Sequence, residues 1–205
     1  MRSATSVLAV LSVLSVLSSS CGGDGSGELT VSAASSLTDA FEELAEGFEA
    51  DNPGTEVLLN FDSSAALANQ IDAGAPVDVF ASADAANVAQ VAASGRTYGE
   101  PVVFATNDLV IVTRPGNEYD VAGPGDLARL VEAGEVVALC AGSAPCGRLA
   151  DGLLAAGSGA GESGTAPDES GVTRAPNARA TLGAVARGDA AAAVVYRTDA
   201  LAAGN

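Results

Sequence analysis

Short apolar runs alternate with longer stretches of helical spacing along the first half of the chain. The runs at residues 28–32, 57–61 and 77–81 predict strands, and the run at 57–61 is apolar enough to be buried on both faces. From Ser36 onward and again over residues 64–73, apolar residues recur three or four positions apart, which predicts two amphipathic helices. The order βαβαβ is typical of the start of a doubly wound parallel sheet.

The second half repeats this pattern after an extended segment at residues 101–113, a candidate crossover between two lobes. Helices are predicted at residues 84–93, 147–155 and 178–187 and around Leu127, Leu130 and Val131, and strands at residues 136–139 and 191–196. Residues 157–171 are of low complexity and predict a surface loop. The sequence therefore predicts an α/β protein with lobes at residues 28–105 and 106–196, and residues 197–205 begin a return to the first lobe.

The N-terminus has the pattern of an export signal. A short positive start is followed by an apolar run at residues 7–17 and by small residues up to Ser20, which predicts a signal peptide over residues 1–20. Cys21 comes next and begins a glycine-rich stretch, so we expect a lipidated cysteine and a flexible tether over residues 21–27. Plain secretion with an unpaired Cys21 is the alternative, because Ser18 stands where a lipoprotein signal usually has an aliphatic residue.

The chain is strongly acidic, with a formal net charge of −17, and its nine basic residues are all arginine and not clustered. This balance argues against nucleic acid and against an anionic membrane surface as partners. The acids alternate with the apolar positions of the predicted helices, which indicates a solvated surface. The chain has no histidine and no lysine, so the usual general base of a serine hydrolase is missing and we expect no enzyme activity.

Three cysteines are present, and two of them, Cys140 and Cys146, lie close together in the second lobe. An exported protein can keep a disulfide, and a small loop closed by Cys140 and Cys146 is the interpretation we favour. A metal site would need more thiol or imidazole ligands than two cysteines in a chain without histidine. We therefore expect no direct cation ligands.

Serine pairs follow two of the predicted strands, with Ser36 and Ser64 at the start of the next helix. The first residues of a helix present unpaired N–H groups and the positive end of the macrodipole, which favours an anion. Ordinary helix capping is the alternative, and Ser36 followed by Asp39 resembles a capping box. Two such positions in a chain without lysine or histidine indicate anion capture by neutral donors.

Two segments of the first lobe carry a resemblance to a known family. Residues 29–41 (LTVSAASSLTDAF) and 61–84 (FDSSAALANQIDAGAPVDVFASAD) resemble the molybdate-binding proteins of ABC importers. Residues 144–150 (APCGRLA) and 194–200 (VVYRTDA) match two later family segments more loosely. The resemblance spans about residues 28–204. The family's final segment, which completes the first lobe, has no counterpart here, so the resemblance also implies a chain truncated at its C-terminus.

The resemblance implies a two-lobed periplasmic-binding-protein fold of type II, with an oxyanion in the cleft between the lobes and no cofactor. Ser36 and Ser64 would donate hydroxyl and backbone N–H groups from the first lobe. In the second lobe Cys146 and Ala178 would donate backbone N–H groups, and Tyr196 would donate its phenol. Cys146 departs from the family, which often has alanine there; a backbone contact tolerates the change.

The function implied is that of an exported substrate-binding protein, at the cell surface or in the periplasm, that delivers molybdate or tungstate to an ABC permease. We expect a monomer that meets the membrane only through a lipid anchor at Cys21. Another oxyanion, such as sulfate or phosphate, is the alternative ligand. Phosphate is partly protonated and would need a carboxylate acceptor, for which Asp62 and Asp199 are candidates. A serine hydrolase and a secreted adhesion module are weaker alternatives from other classes.

Overall fold

The computed structural model describes residues 27–157 and 169–204. In the first half the elements are β1 (Gly27–Ala34), α1 (Thr38–Asp51), β2 (Thr55–Asp62), α2 (Ser64–Asp72), β3 (Val79–Ala81) and α3 (Ala85–Ala93). The second half has β4 (Leu109–Thr113), α4 (Pro124–Glu132), β5 (Val137–Cys140), α5 (Pro145–Gly157), β6 (Val172–Ala175), α6 (Ala178–Ala186), β7 (Ala192–Tyr196) and α7 (Arg197–Ala202). Short 3-10 turns cover Ser35–Leu37 and Glu169–Gly171.

Strands β1 to β3 form the sheet of the first lobe, in the order β2-β1-β3, and all are parallel. Val31 of the central strand is level with Leu59 on one side and with Val79 on the other. One small core packs Val31 and Ala33 against Phe41 of α1. A second small core joins α2 and α3 through Ile71 and Val91.

Strands β4 to β7 form the sheet of the second lobe, in the order β4-β7-β5-β6. Strand β4 is antiparallel to β7, and the other neighbours are parallel. Successive residues of β7 point to opposite faces, so Val195 joins a core with Leu182 of α6 while Val194 joins a core with Leu127 of α4. Helices therefore cover both faces of this sheet.

The two helix-flanked sheets confirm the predicted fold class, and the strands and helices of the alternating pattern are found within a few residues of their predicted places. The expectation that the strand at residues 57–61 is buried on both faces is wrong. Strand β2 lies at the edge of its sheet, its residues alternate between partly buried and exposed, and Leu58 is 37% exposed. An apolar run predicts such a strand, but its cover depends on what packs against it.

The extended segment at residues 101–113 is only partly a strand, because β4 begins at Leu109. Strand β6 and helix α7 were not predicted, and α7 packs against the second sheet and against the Ser35–Leu37 turn of the first lobe. The predicted signal peptide, Cys21, the tether apart from Gly27, and most of the predicted loop lie outside the described residues. The lobe boundaries stay predictions. Within the described ranges, no helix has the length and apolarity needed to cross a bilayer.

Candidate functional site

The carboxyl ends of β1, β2, β5 and β7 converge where the two lobes meet, and a small cavity of about 10 Å³ lies between them. Such convergence is where open α/β sheets bind their ligands. The lining comes from both lobes: Ala34, Ser35, Ser36, Asp62, Ser63, Ser64, Ala83, Pro145, Cys146, Asn177, Ala178 and Tyr196. The five binding residues predicted from the sequence, Ser36, Ser64, Cys146, Ala178 and Tyr196, are all in this lining.

The two serines at the start of α2 have different roles. Ser63 is the N-cap, and its Oγ accepts the backbone N–H of Ala66 at 3.2 Å. Ser64 is the first helical residue, is 1% exposed, and its Oγ accepts the backbone N–H of Ala83 at 2.8 Å. Because a hydroxyl both accepts and donates, the Ser64 hydrogen remains to be donated toward the cavity. The capping alternative therefore holds for Ser63 and fails for Ser64.

Ser36 lies in the 3-10 turn that precedes α1, and it is half-buried. The capping box predicted for Ser36 and Asp39 is absent, because α1 begins two residues later, at Thr38, with Leu37 as an N-cap that makes no side-chain capping bond. Thr38 instead donates its hydroxyl to the carbonyl of Ser35 at 2.7 Å. Like an α-helix, such a turn leaves its first N–H groups without a partner inside the turn, so Ser36 can offer both N–H and hydroxyl.

Two helix starts form the wall from the second lobe. Pro145 is the first residue of α5 and has no N–H, so Cys146 supplies the first N–H of that helix. A disulfide joins Cys146 to Cys140 at the end of β5, and both residues are buried. At α6, the Asn177 Oδ1 accepts the backbone N–H of Ala180 at 2.9 Å, which caps the helix and leaves Ala178 as its first residue.

The loop between β5 and α5 folds back so tightly that Gly147 cannot be another residue. A Cβ at Gly147 would lie 2.0 Å from the carbonyl oxygen of Ala141 and 2.8 Å from that of Cys140. Both obstacles are backbone atoms, which cannot swing aside. Gly147 and the disulfide together fix where the N–H of Cys146 lies.

Tyr196 ends β7 and is 5% exposed. Its hydroxyl is buried and has no hydrogen-bond partner among the described residues. Burial, with a smaller contribution from the carboxylates of Asp84 and Asp199, raises the pKa of Tyr196 to about 12. The phenol is therefore protonated at neutral pH and available as a donor. An unsatisfied buried donor costs about 1–3 kcal/mol, which a ligand oxygen would recover.

Asp62 is the one carboxylate of the cavity lining. Its Oδ1 accepts the backbone N–H of Ser63 at 2.7 Å and the side-chain amide of Asn177 at 3.3 Å, so that oxygen is already engaged. Asp199, the other carboxylate considered from the sequence, does not line the cavity. Asp62 closes β2 directly before the serine pair, where the sequence named it as a candidate acceptor. Asn177, the N-cap of α6, lines the cavity and was not predicted.

No arginine lines the cavity, although two stand nearby. Arg148 pairs with Asp84, and the Arg179 guanidinium lies 2.8 Å from the Asp39 carboxylate. Among residues 27–157 and 169–204, no group of three or more His, Cys, Asp or Glu side chains is arranged to hold a metal ion. The donors that face the cavity are therefore hydroxyl, phenol and amide groups.

Comparison with known proteins decides the family. Residues 29–205 match the family of bacterial extracellular solute-binding proteins. The chain belongs to this family. It is also 38% identical over 177 residues to the molybdate-binding proteins ModA of Mycobacterium tuberculosis and Mycobacterium bovis, across 86% of this chain. The resemblance stated from the sequence is thereby confirmed, and the chain spans 64% of the length of these relatives.

Solved structures support the fold. The periplasmic molybdate-binding protein of Azotobacter vinelandii superposes with a TM-score of 0.63 at 24% identity, over 82% of this chain and 71% of the other. The sulfate-binding protein SubI of Mycobacterium tuberculosis gives a TM-score of 0.68 at 19% identity, over 86% and 67% of the two chains. At this level of identity, the likeness carries the type II two-lobed fold alone.

Proposed function

We propose that the cleft captures a deprotonated tetrahedral oxyanion, molybdate or tungstate, as the first step of import through an ABC permease. The observation that carries this proposal is the convergence of Ser36, Ser64, Cys146, Ala178 and Tyr196 on one cavity between the lobes. The relatives with 38% identity are named molybdate-binding proteins, which supports the choice of anion.

The chemistry of the lining suits such an anion. Molybdate at neutral pH is a dianion with no proton to give, so it needs donors only, and hydroxyl, phenol and backbone N–H groups supply them. Hydrogen bonds to a charged group contribute about 1.5–3 kcal/mol each. Several of them leave a net binding free energy of roughly −8 kcal/mol after dehydration and lobe closure, which corresponds to a micromolar Kd.

Binding must be coupled to a movement of the lobes. A cavity of about 10 Å³ is close to the least space that a single water molecule needs, and a tetrahedral oxyanion is larger. Because the walls come from different lobes, separating the lobes enlarges the cavity from two sides. The chain passes from the first sheet to the second between α3 and β4, so a hinge motion would bend the backbone in that segment.

The remaining parts of the proposal concern the whole protein. We infer that it is exported, anchored by a lipid on Cys21, monomeric, free of cofactor and not an enzyme. Membership in a family of solute-binding proteins supports delivery to a permease as part of the proposal. The absence of histidine from the chain argues against the serine hydrolase alternative, since Ser36 and Ser64 then have no imidazole base.

Another oxyanion is the second candidate. Sulfate is also a dianion without protons and would use the same donors, so cavity size separates it from molybdate. Phosphate needs an acceptor for its proton, and Asp62 is the carboxylate that lines the cavity. The Asp62 Oδ1 already accepts two hydrogen bonds, which leaves Oδ2 to accept that proton, so we expect phosphate to bind more weakly than molybdate, which needs no acceptor.

Calorimetric titration of the chain with molybdate, tungstate, sulfate and phosphate tests the proposal. We expect a micromolar Kd for molybdate and about a tenfold weaker Kd for the Tyr196→Phe variant, which loses one hydrogen bond to a charged group. Ser94→Ala is the control, because Ser94 caps the C-terminus of α3 and its hydroxyl donates to Asp72 at the end of α2, outside the cavity lining. No heat with millimolar molybdate, or tighter binding of phosphate than of molybdate, would contradict the proposal.

A further inference from the structure

Two ion pairs join the lobes, and in each pair one partner directly follows a residue of the cavity lining. Arg148 of α5 pairs with Asp84, which precedes α3. Arg179 of α6 pairs with Asp39 of α1, with Nη2 and Oδ2 2.8 Å apart. Of the ion pairs between described residues, these two connect residues of different lobes. Both arginines lie in the first turn of a helix whose start lines the cavity.

The Arg148 pair is the more firmly held of the two. The Asp84 Oδ1 accepts the backbone and side-chain N–H groups of Asn87 at 2.9 and 2.7 Å, which leaves Oδ2 for Arg148. Arg148 also donates to the carbonyl of Ser143 in its own lobe. The two arginines are similarly exposed, but the Asp84 side chain is 23% exposed and that of Asp39 is 54% exposed. Exposure weakens an ion pair, so we expect Arg148 to matter more.

The position of both arginines near a helix N-terminus favours pairing with a carboxylate. A cation in the first turn of a helix faces the positive end of the macrodipole and is destabilised there. In the closed form each guanidinium is neutralised by a carboxylate of the opposite lobe. When the lobes separate, both pairs break and both arginines remain at the unfavourable helix ends. Lobe closure therefore relieves two unfavourable charges without placing either of them on the ligand.

We propose that Arg148 and Arg179 are positioning residues that latch the cleft closed through Asp84 and Asp39, and so set how long a bound oxyanion stays. Neither arginine lines the cavity, so the latch acts on the closed form and not by contact with the anion. The link to residence time rests on the function proposed above. The effect on closure itself does not depend on which anion binds.

Dissociation kinetics of molybdate test the latch. In a stopped-flow experiment, Arg148→Gln should raise the dissociation rate about fivefold and Arg179→Gln about twofold, with little change in the association rate. Asp84→Asn keeps a capping oxygen for Asn87 and should raise the dissociation rate as much as Arg148→Gln does. The double variant of Arg148→Gln with Asp84→Asn should release molybdate no faster than either single variant. Arg129→Gln is the matched control, because its pair with Asp126 at 2.8 Å lies within α4.

A measurement without any anion separates the latch from the proposed function. Spin labels on Glu46→Cys in α1 and Glu132→Cys in α4, with Cys21 replaced by serine, report the distance between the lobes. We expect Arg148→Gln and Asp84→Asn to shift the distances toward the open form. If wild type fails to bind molybdate but this shift occurs, the proposed function fails and the latch stands. Unchanged distances in both variants, or additive effects in the double variant, would overturn the latch.

Discussion

Both lobes contribute to the cavity, seven lining residues from the first and five from the second, but they are packed very differently. In the second lobe, every residue of β5 and β7 is buried, and apolar cores lie on both faces of the sheet. In the first lobe, α1 has no buried residue, and Leu44 and Phe48 are 62% and 44% exposed. We therefore expect the second lobe, which carries Cys146, Ala178 and Tyr196, to be the more stable of the two.

The segment before β4 adds to the contrast. Val102, Val103 and Phe104 are 80%, 83% and 60% exposed, and with α3 they line a groove of about 530 Å³ that reaches Ser36 and Tyr196. Exposed apolar side chains contribute little to stability and favour association. The comparison shows that a cavity can have one wall from a loosely packed lobe, which carries Ser36, and the other from a densely packed lobe.

Truncation of one leucine in each lobe should give the largest difference between the lobes. Leu127 of α4 is fully buried, so Leu127→Ala should lower the free energy of unfolding by about 3 kcal/mol through lost burial and a cavity. Leu44→Ala, the matched change on α1, should lower it by less than about 0.5 kcal/mol because this side chain is already exposed. Urea denaturation of both variants measures the difference. Equal losses would show that the first lobe is packed as tightly as the second.

Asp199 lies in α7, which packs against the Ser35–Leu37 turn of the first lobe. Its side chain is buried, and burial raises its pKa to about 6, with Asp39 adding to the rise and Arg179 opposing it. Between about pH 4 and 6 the folded state thus holds this proton more tightly than the unfolded chain, so this contribution to stability falls as the pH rises. We expect Asp199→Asn to gain about 1 kcal/mol at pH 7.5.

The gain from Asp199→Asn should disappear near pH 4, where the wild-type carboxyl is protonated in the folded state. Thermal or urea unfolding at the two pH values measures it. Asp189→Asn serves as the control, since Asp189 lies on the surface and pairs with Arg187. A gain that is equal at both pH values would mean that ionisation of Asp199 is not its cause.

Helix capping on the two sides of the cleft should give the smallest effects. Ser63→Ala and Asn177→Ala each remove the capping oxygen of a cavity helix and should cost about 1 kcal/mol of stability. Asn177→Ala should cost somewhat more, because the Asn177 amide also donates to Asp62 across the cleft. Equilibrium unfolding with and without molybdate separates the cost of the lost capping bond from the cost of the lost bond across the cleft. A larger loss for Ser63→Ala would reverse the expected order.

Much of the fold could be predicted because its signals are local. Alternation of strands and helices follows from apolar spacing, and the serine turns with the Tyr196 segment identified the cavity lining. Strand β6 was not predicted because its sequence, VTRA, has polar residues at its centre and gives no apolar run, and the cover of β2 depends on neighbours distant in the chain. The ion pairs between the lobes join residues 64 and 140 positions apart, which no local pattern reveals. The 3-10 turn at Ser35–Leu37 moved the start of α1 and removed the predicted capping box.

The most direct test of the central claim is an anomalous difference map from crystals of this chain grown with tungstate. We expect one strong peak between the lobes, within hydrogen-bond distance of Ser36, Ser64 and Tyr196 and in contact with neither Arg148 nor Arg179. A peak held by either arginine, a peak in the apolar groove beside Phe104, or no peak at saturating tungstate would contradict it.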